Sequence, residues 1–233
     1  RRHRLARSGV RDAANDGTAV TTERSSSNEH AESAGLNWAG NYRYAAPELL
    51  RPHDVDEVRD IVKSSTRVKA LGSRHSFNDI ADTPAVQIST ENLNAIDAEA
   101  MTVTVESGLR YGHFCSLLDD RGFALHNLAS LPHISVAGAC ATATHGSGVG
   151  NGNLATAVEE IEFVDGAGEI VTLSRGKDAE IFNGTVVGLG ALGIVTRLKL
   201  KIEKNFAVTQ NVFLDLPIDE MAANFDAIMS AGY

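Results

Sequence analysis

The chain has only two cysteines, Cys115 and Cys140, in 233 residues. That is too few for a disulfide scaffold; one bridge would be allowed, but two buried thiols in a reducing, cytoplasmic setting fit better. Basic charge is scarce as well. Lys and Arg total 21 against 30 Asp and Glu, a formal net charge of −9, whereas binding a phosphate backbone needs a basic face. Nucleic acid is therefore not the expected partner. No run approaches the roughly 18 consecutive apolar residues of a membrane span. Eight histidines occur, and His113, His126, His133 and His145 lie close together. Yet no H-E-x-x-H and no Cys/His pair at zinc spacing accompanies them, so no metal site is expected. No G-x-S-x-G elbow exists either, which leaves a serine hydrolase without support.

What remains is an ordinary globular composition, 43% apolar and 22% charged, long enough for one large domain or a domain and a half. Residues 1–35 are polar and Ser-rich, with Arg1, Arg2, Arg4, Arg7 and Arg11 at the front. They lack the apolar core of a secretory signal, and Asp12 and Asp16 spoil an acid-poor transit peptide; the composition predicts a disordered tail. Order is expected from Leu36-Asn-Trp-Ala-Gly-Asn41 onward. Leu49-Leu-Arg-Pro52 reads as a short strand closed by proline. Asp54 and Glu57 have the spacing of a capping box, and Val55, Val58, Ile61 and Val62 recur at helical period behind it. Val68–Leu71 reads as the next strand. A strand, helix, strand unit of this length is a parallel crossover, which predicts α/β architecture.

Further strands are expected at Ala85–Ser89 and Met101–Glu106, and a helix over Tyr111–Arg121 stopped by Gly122. Ile161–Val164 and Glu169–Leu173 flank Asp165-Gly-Ala-Gly168, a hairpin signal. Ile194–Ile202 alternates apolar and polar residues as a half-buried strand does. From Phe206 a new strand and then a helix are expected, as the opening of a second domain that is cut at Tyr233.

Three glycine-rich stretches carry the chemistry. In Val68-Lys-Ala-Leu-Gly-Ser-Arg-His-Ser-Phe-Asn78 a strand runs into a Gly/Ser turn. Backbone N–H groups of such a turn can form an anion-binding concavity, and His75 at its tip is a nucleophile. The second runs from Asn127 to Gly148 and is almost entirely small beyond Val136. It suits either tight core packing or close approach of a flat ligand, and beside the His75 loop the ligand reading gains. The third, Gly188-Leu-Gly-Ala-Leu-Gly193, matches G-x-G-x-x-G formally. A dinucleotide fingerprint must open a helix, whereas here the alternating strand follows, so the match is a false positive.

Gly72-Ser-Arg-His-Ser-Phe-Asn78, Ser130-Leu-Pro-His-Ile-Ser-Val-Ala-Gly138 and Ala141-Thr-Ala-Thr-His-Gly-Ser-Gly148 together resemble the vanillyl-alcohol oxidase superfamily. The branch they look most like is the alditol oxidases, near the sugar aldonolactone oxidases. Asn37-Trp-Ala-Gly-Asn41, Val149-Gly-Asn-Gly152 and Gly190-Ala-Leu-Gly-Ile-Val195 extend the similarity over about residues 37–233. The resemblance implies an α+β fold built of α/β-type units, with an FAD-binding domain of the p-cresol methylhydroxylase type over residues 36–205. Its subdomains would be about 36–105 and 106–205, with the start of an incomplete substrate domain at 206–233.

It further implies that His75 bonds covalently to the 8α-methyl of FAD. Leu71, Gly72, Ser73, Arg74, His75 and Ser76 would hold the diphosphate. Ser135, Gly138, Ala139, Cys140, Ala141, Thr142, His145 and Gly146 would line the rest of the cofactor, with Ile194 and Val195 touching it from the last strand. Ser130 would sit near the flavin and reach a substrate hydroxyl. The implied reaction oxidises the CH–OH of a polyol or sugar 1,4-lactone, passing hydride to flavin N5 and giving hydrogen peroxide with molecular oxygen. Ala129 is the candidate small residue for oxygen access. A truncated FAD-binding module without turnover is the alternative, because the side chains that activate the alcohol are expected beyond Tyr233. One departure stands out: Arg74 occupies a position that is glycine in alditol oxidases. If that position needs positive φ, arginine costs about 1–2 kcal/mol and slows attachment of the flavin.

Overall fold

A computed structural model describes residues 33–231 except 149 and 211. The Arg-rich part of the expected tail lies outside the described residues. Order begins earlier than Leu36, because Ala34 is already buried, at 1% exposure.

A three-stranded parallel sheet comes first, formed by β1 (Glu48–Leu50), β2 (Val68–Leu71) and β3 (Val86–Ser89) in the order β1-β3-β2. The crossover from β1 to β2 is helix α1 (Val55–Ser64). Its start carries the expected capping pair: Glu57 N donates to Asp54 Oδ1 at 2.9 Å, while Glu57 Oε2 accepts from His53 N, one residue before the cap, at 2.7 Å. The apolar stripe then buries Val58 and Val62 against Ile88, Leu93, Val164 and Ile194. Each such buried side chain contributes about 1.5–3 kcal/mol.

The second sheet has five strands in the order β4-β5-β9-β7-β8, all neighbours antiparallel. Its strands are β4 (Ile96–Glu99), β5 (Thr102–Glu106), β7 (Val158–Val164), β8 (Ile170–Ser174) and β9 (Ile194–Lys201). The β7–β8 turn is the Asp165-Gly-Ala-Gly168 signal, in which Asp165 Oδ1 accepts from Ala167 N and Glu169 N, each at 2.9 Å. Arg59 of α1 donates to Gly168 O at 3.0 Å, so the first unit grips this turn.

Helices α2 (Tyr111–Asp119), α3 (Val136–Ala141) and α4 (Ala179–Val186) cover the main core. Phe114, Leu118, Val136 and Phe182 pack there with Val103, Val105, Ile161, Leu198 and Leu200. Gly122, at φ 78°, closes α2 as expected. Gly193 precedes β9 where a Cβ would collide with the Val164 carbonyl. That close backbone approach, not a dinucleotide, is why the G-x-G-x-x-G match ends in glycine, and a strand does follow it.

β4 and β5 belong to the five-stranded sheet, so the two sheets divide between Ser89 and Ile96. The strand β5 finds its partner in β9, some ninety residues away, a pairing that local pattern cannot reveal. The strand expected from Phe206 does not form among the described residues. Instead β10 (Glu203–Lys204) pairs with β6 (Phe123–Ala124), and residues 206–210 and 212–217 run without pairing to α5 (Ile218–Ala223) and α6 (Phe225–Met229). Val208 and Leu214 are each 79% exposed. A β-prone run becomes a strand only when a neighbouring edge takes its backbone hydrogen bonds, and among the described residues none does. No helix among the described residues is long and apolar enough to cross a membrane.

Candidate functional site

β2 ends at Leu71, and the chain turns at once through Gly72-Ser-Arg-His-Ser76. This loop forms one wall of a cleft whose opposite wall comes from α3, the turn before β9 and the start of β9. Leu71, Gly72, Ser73, Arg74, His75, Ser76, Ser130, Ser135, Gly138, Ala139, Ala141, Thr142 and Val195 all line it, as does Ala129. Residues sixty to one hundred and twenty positions apart are thus brought to one cavity.

Four expected residues are elsewhere. Cys140 turns into the core, where its thiol meets Tyr111 Oη at 3.9 Å and Leu154 O at 3.8 Å. Burial pushes that thiol up to about 12, so it stays protonated. Ile194 is buried against α1. His145 is exposed, its Nδ1 2.9 Å from Gly146 O, and neither residue lines the cleft. The reason is periodicity: α3 presents Ala137, Gly138 and Ala141 to the cleft while Cys140 faces the other way, and β9 presents Val195 rather than Ile194.

The centre of the cleft is built around Ser135. Its N–H donates to Ser73 Oγ at 3.3 Å, which ties the two walls together. A Cβ on Gly72 would lie 2.7 Å from Ser135 Oγ, and one on Gly138 2.8 Å from it. Ser135 Oγ and His75 Nδ1 are both buried without a hydrogen-bond partner. A buried polar atom left this way costs about 1–3 kcal/mol unless a partner is supplied.

His75 is held by rings. Trp38 lies 4.5 Å from it, His133 5.3 Å and Phe77 5.6 Å, and Trp38 also stacks on His133 at 5.7 Å with 20° between planes. Burial, and then the neighbouring His133, lower the His75 pKa below the usual imidazole value. The ring is neutral and nucleophilic at neutral pH. Arg74 adopts φ 62°, so the position does require positive φ. Its carbonyl accepts from Trp38 N at 2.8 Å and its guanidinium donates to Ala34 O at 2.6 Å. These contacts offset the strain that arginine brings.

Sequence reasoning missed Lys69 and Tyr44, which also line the cleft. Lys69 Nζ donates to Leu189 O at 3.0 Å and Gly190 O at 3.2 Å, fastening β2 to the turn before β9. Burial lowers its pKa. The period-2 alternation of β2, which puts residue 69 on the face of Leu71, is the signal that could have found it. Leu189 itself is at φ 52° and its N–H donates to Ala141 O at 3.3 Å. Backbone strain thus gathers at this cleft, as it does at functional sites.

The donor set fits a long, partly flat, anionic molecule. Apolar walls from Leu71, Ala137 and Val195 suit a planar ring system, and the hydroxyls of Ser73, Ser76 and Thr142 suit phosphate oxygens. The family whose description is "FAD binding domain" matches residues 46–174, more than half of the chain and most of this cleft. The chain belongs to that FAD-binding family.

Relatives agree with the family. The chain is 44% identical over 206 residues to an alditol oxidase of a Streptomyces species, covering 86% of this chain and 49% of the relative. It is 33% identical over 189 residues to D-arabinono-1,4-lactone oxidase of Kluyveromyces lactis (76% and 36%), and 31% over 198 residues to L-gulonolactone oxidase of Bos taurus (82% and 45%). The solved structure of Physcomitrella patens BBE-like 1 shares the fold, with TM-score 0.61 at 21% identity over 73% of this chain and 39% of that one. The chain spans about half the length, or less, of the curated relatives it matches.

Within this FAD-binding domain, Ser135 Oγ, His75 Nδ1, Tyr44 Oη and Ser107 Oγ are buried without a hydrogen-bond partner on residues that line the cleft. The glycines at 72 and 138 keep the space beside Ser135 open.

Proposed function

We propose that this chain is the cofactor-holding part of an FAD-dependent oxidoreductase acting on the CH–OH group of a polyol or a sugar 1,4-lactone. Dioxygen is the acceptor and hydrogen peroxide the product. The observation that carries the reading is the cleft itself, where a neutral His75 with Nδ1 unpartnered shares the lining with Ser135 inside a domain of the FAD-binding family. The reaction class follows the relatives, which are named alditol and aldonolactone oxidases.

Bound FAD supplies the two-electron chemistry, accepting hydride from an alcohol carbon. The chain's own residues bind and place it. Ser73, Ser76 and the backbone of the His75 loop hold the diphosphate, while Ala137, Gly138, Ala141 and Val195 flank the ring. Ser130, exposed at the rim of the cleft, meets a substrate hydroxyl. His75 would hold the flavin covalently through its 8α-methyl group; the ring proton of His75 and one methyl hydrogen would leave together with an electron pair, taken by dioxygen as hydrogen peroxide. Residues 36–205 form the cofactor domain in this reading, and 206–233 begin the substrate domain.

A second reading, an FAD-binding module without turnover of its own, draws on the chain's spanning about half of its relatives. One experiment separates the two. The purified chain is loaded with FAD and assayed for peroxide with xylitol, sorbitol and a sugar 1,4-lactone. Yellow protein with substrate-dependent peroxide supports the oxidase, and yellow protein with none of the three giving peroxide supports the module. Colourless protein that takes up no FAD overturns both.

A further inference from the structure

A functional histidine is ordinarily oriented by the hydrogen bond its second ring nitrogen makes. At His75 no hydrogen bond to Nδ1 does this, since that atom is buried with no partner and lies open to the ligand. Its ring is surrounded instead by Trp38, Phe77 and His133 at 4.5–5.6 Å. Trp38 is the notable member, being 57% exposed and yet held firmly by its backbone. It lies in a strap, residues 34–44, that is clamped onto the His75 loop by four hydrogen bonds. Trp38 N donates to Arg74 O, Arg74 Nη1 to Ala34 O, Asn37 Nδ2 to Ser76 O at 2.9 Å, and Asn41 Nδ2 to Phe77 O at 3.3 Å. Two of the four run through Arg74, the residue at the strained backbone position. Asn37 is itself buried and also accepts from Tyr42 N, which shapes the strap into a tight turn with the indole at its tip.

A half-exposed tryptophan buries little area where it sits, so hydrophobic burial alone does not account for a clamp of this kind. Geometry does. The indole packs against the imidazole of His75 and stacks on that of His133, fixing both rings side by side at the mouth of the loop.

We propose that Trp38 is a positioning residue for His75: the strap, locked by Arg74, presses the indole onto the imidazole and sets the orientation in which its nitrogen meets the cofactor. The proposal rests on the reading that His75 carries the covalent bond, with the atom balance given above. It also reverses the expectation for Arg74. Glycine there would relax the backbone and keep the Trp38 N–H bond to its carbonyl, but it would lose the guanidinium bond that holds Ala34 at the start of the strap, so it would hinder the attachment rather than speed it.

The test measures two quantities on the full chain after FAD is added to apoprotein: the dissociation constant for FAD before attachment, and the rate at which flavin becomes resistant to denaturation. Trp38→Ala should leave the dissociation constant within about threefold and slow attachment about tenfold or more, the scale of a small misplacement of a reacting group. Trp38→Phe should restore most of the rate, and Arg74→Gly should slow it as Trp38→Ala does. Attachment by Trp38→Ala at the wild-type rate overturns the proposal, as does Arg74→Gly attaching faster than wild type. An equal loss of binding and attachment in Trp38→Ala, unrescued by Phe, overturns it too, since Trp38 would then only maintain the cleft. Wild-type protein that binds FAD but keeps none after denaturation overturns the His75 reading itself, an outcome distinct from the others.

Discussion

His75 and Asp82 show how single side chains in this domain obtain their properties. The His75 imidazole is pushed toward neutrality by burial and by His133. Its capacity as a nucleophile should therefore persist below the ordinary histidine pKa of about 6.5. Asp82 is the opposite case. Burial alone would raise its carboxyl, but Tyr42 Oη at 2.7 Å and the N–H groups of Ala45 and Thr83 outweigh burial and hold it below the ordinary value. The same hydrogen bond pushes the Tyr42 phenol up to about 12. Asp82 thus contributes stability that is fully present above the unfolded aspartate pKa, near 3.9, and is lost as pH falls through the lower folded value. Asp82→Asn should cost about 1 kcal/mol at pH 7 once solvent screening is allowed for. The gap between wild type and variant in urea unfolding should close below about pH 4.

At the scale of elements, the most legible parts were those whose signals are local. The capping pair of α1, the Asp165 hairpin turn, the stop at Gly122 and the alternation of β9 all rest on neighbours within a few residues, and each formed as expected. Asp54→Ala should remove one cap bond and lower stability by about 1 kcal/mol in thermal or urea unfolding. What depends on distant partners was not legible. β5 pairs with β9 far along the chain, and the run from Phe206 has strand composition but no edge to pair with among the described residues. Small helices gave the same difficulty. The stretch after Val136 reads as small and ligand-lined, yet only the helical turn of α3 decides that Gly138 faces the cleft and Cys140 the core. Gly138→Ala tests that placement. Its methyl would meet only the movable Ser135 Oγ, so stability should change little, whereas the affinity for FAD should fall about tenfold, near 1.4 kcal/mol. Unchanged affinity would remove Ser135 from the binding centre.

For the whole molecule, the arrangement of two sheets explains why the motif and the cleft coincide. The parallel sheet delivers the His75 loop at the end of β2. The antiparallel sheet delivers Val195 at the start of β9, and α1 holds the two together through Val58, Val62, Val164 and Ile194. Lys69 adds a direct tie from one to the other. A ligand seated in such a cleft touches both units, so FAD should stabilise the entire fold by mass action, about 2.7 kcal/mol at a hundredfold excess over its dissociation constant. In the proposed reading the cleft specifies the cofactor, and His75 is the residue that bonds to it.

Intact-mass spectrometry of the denatured chain after incubation with FAD in air tests that claim most directly. The account predicts a wild-type mass equal to the chain plus one FAD less two hydrogen atoms, and a bare chain for His75→Ala, which should still bind FAD before denaturation. A bare wild-type mass, with all flavin released on unfolding, would contradict it.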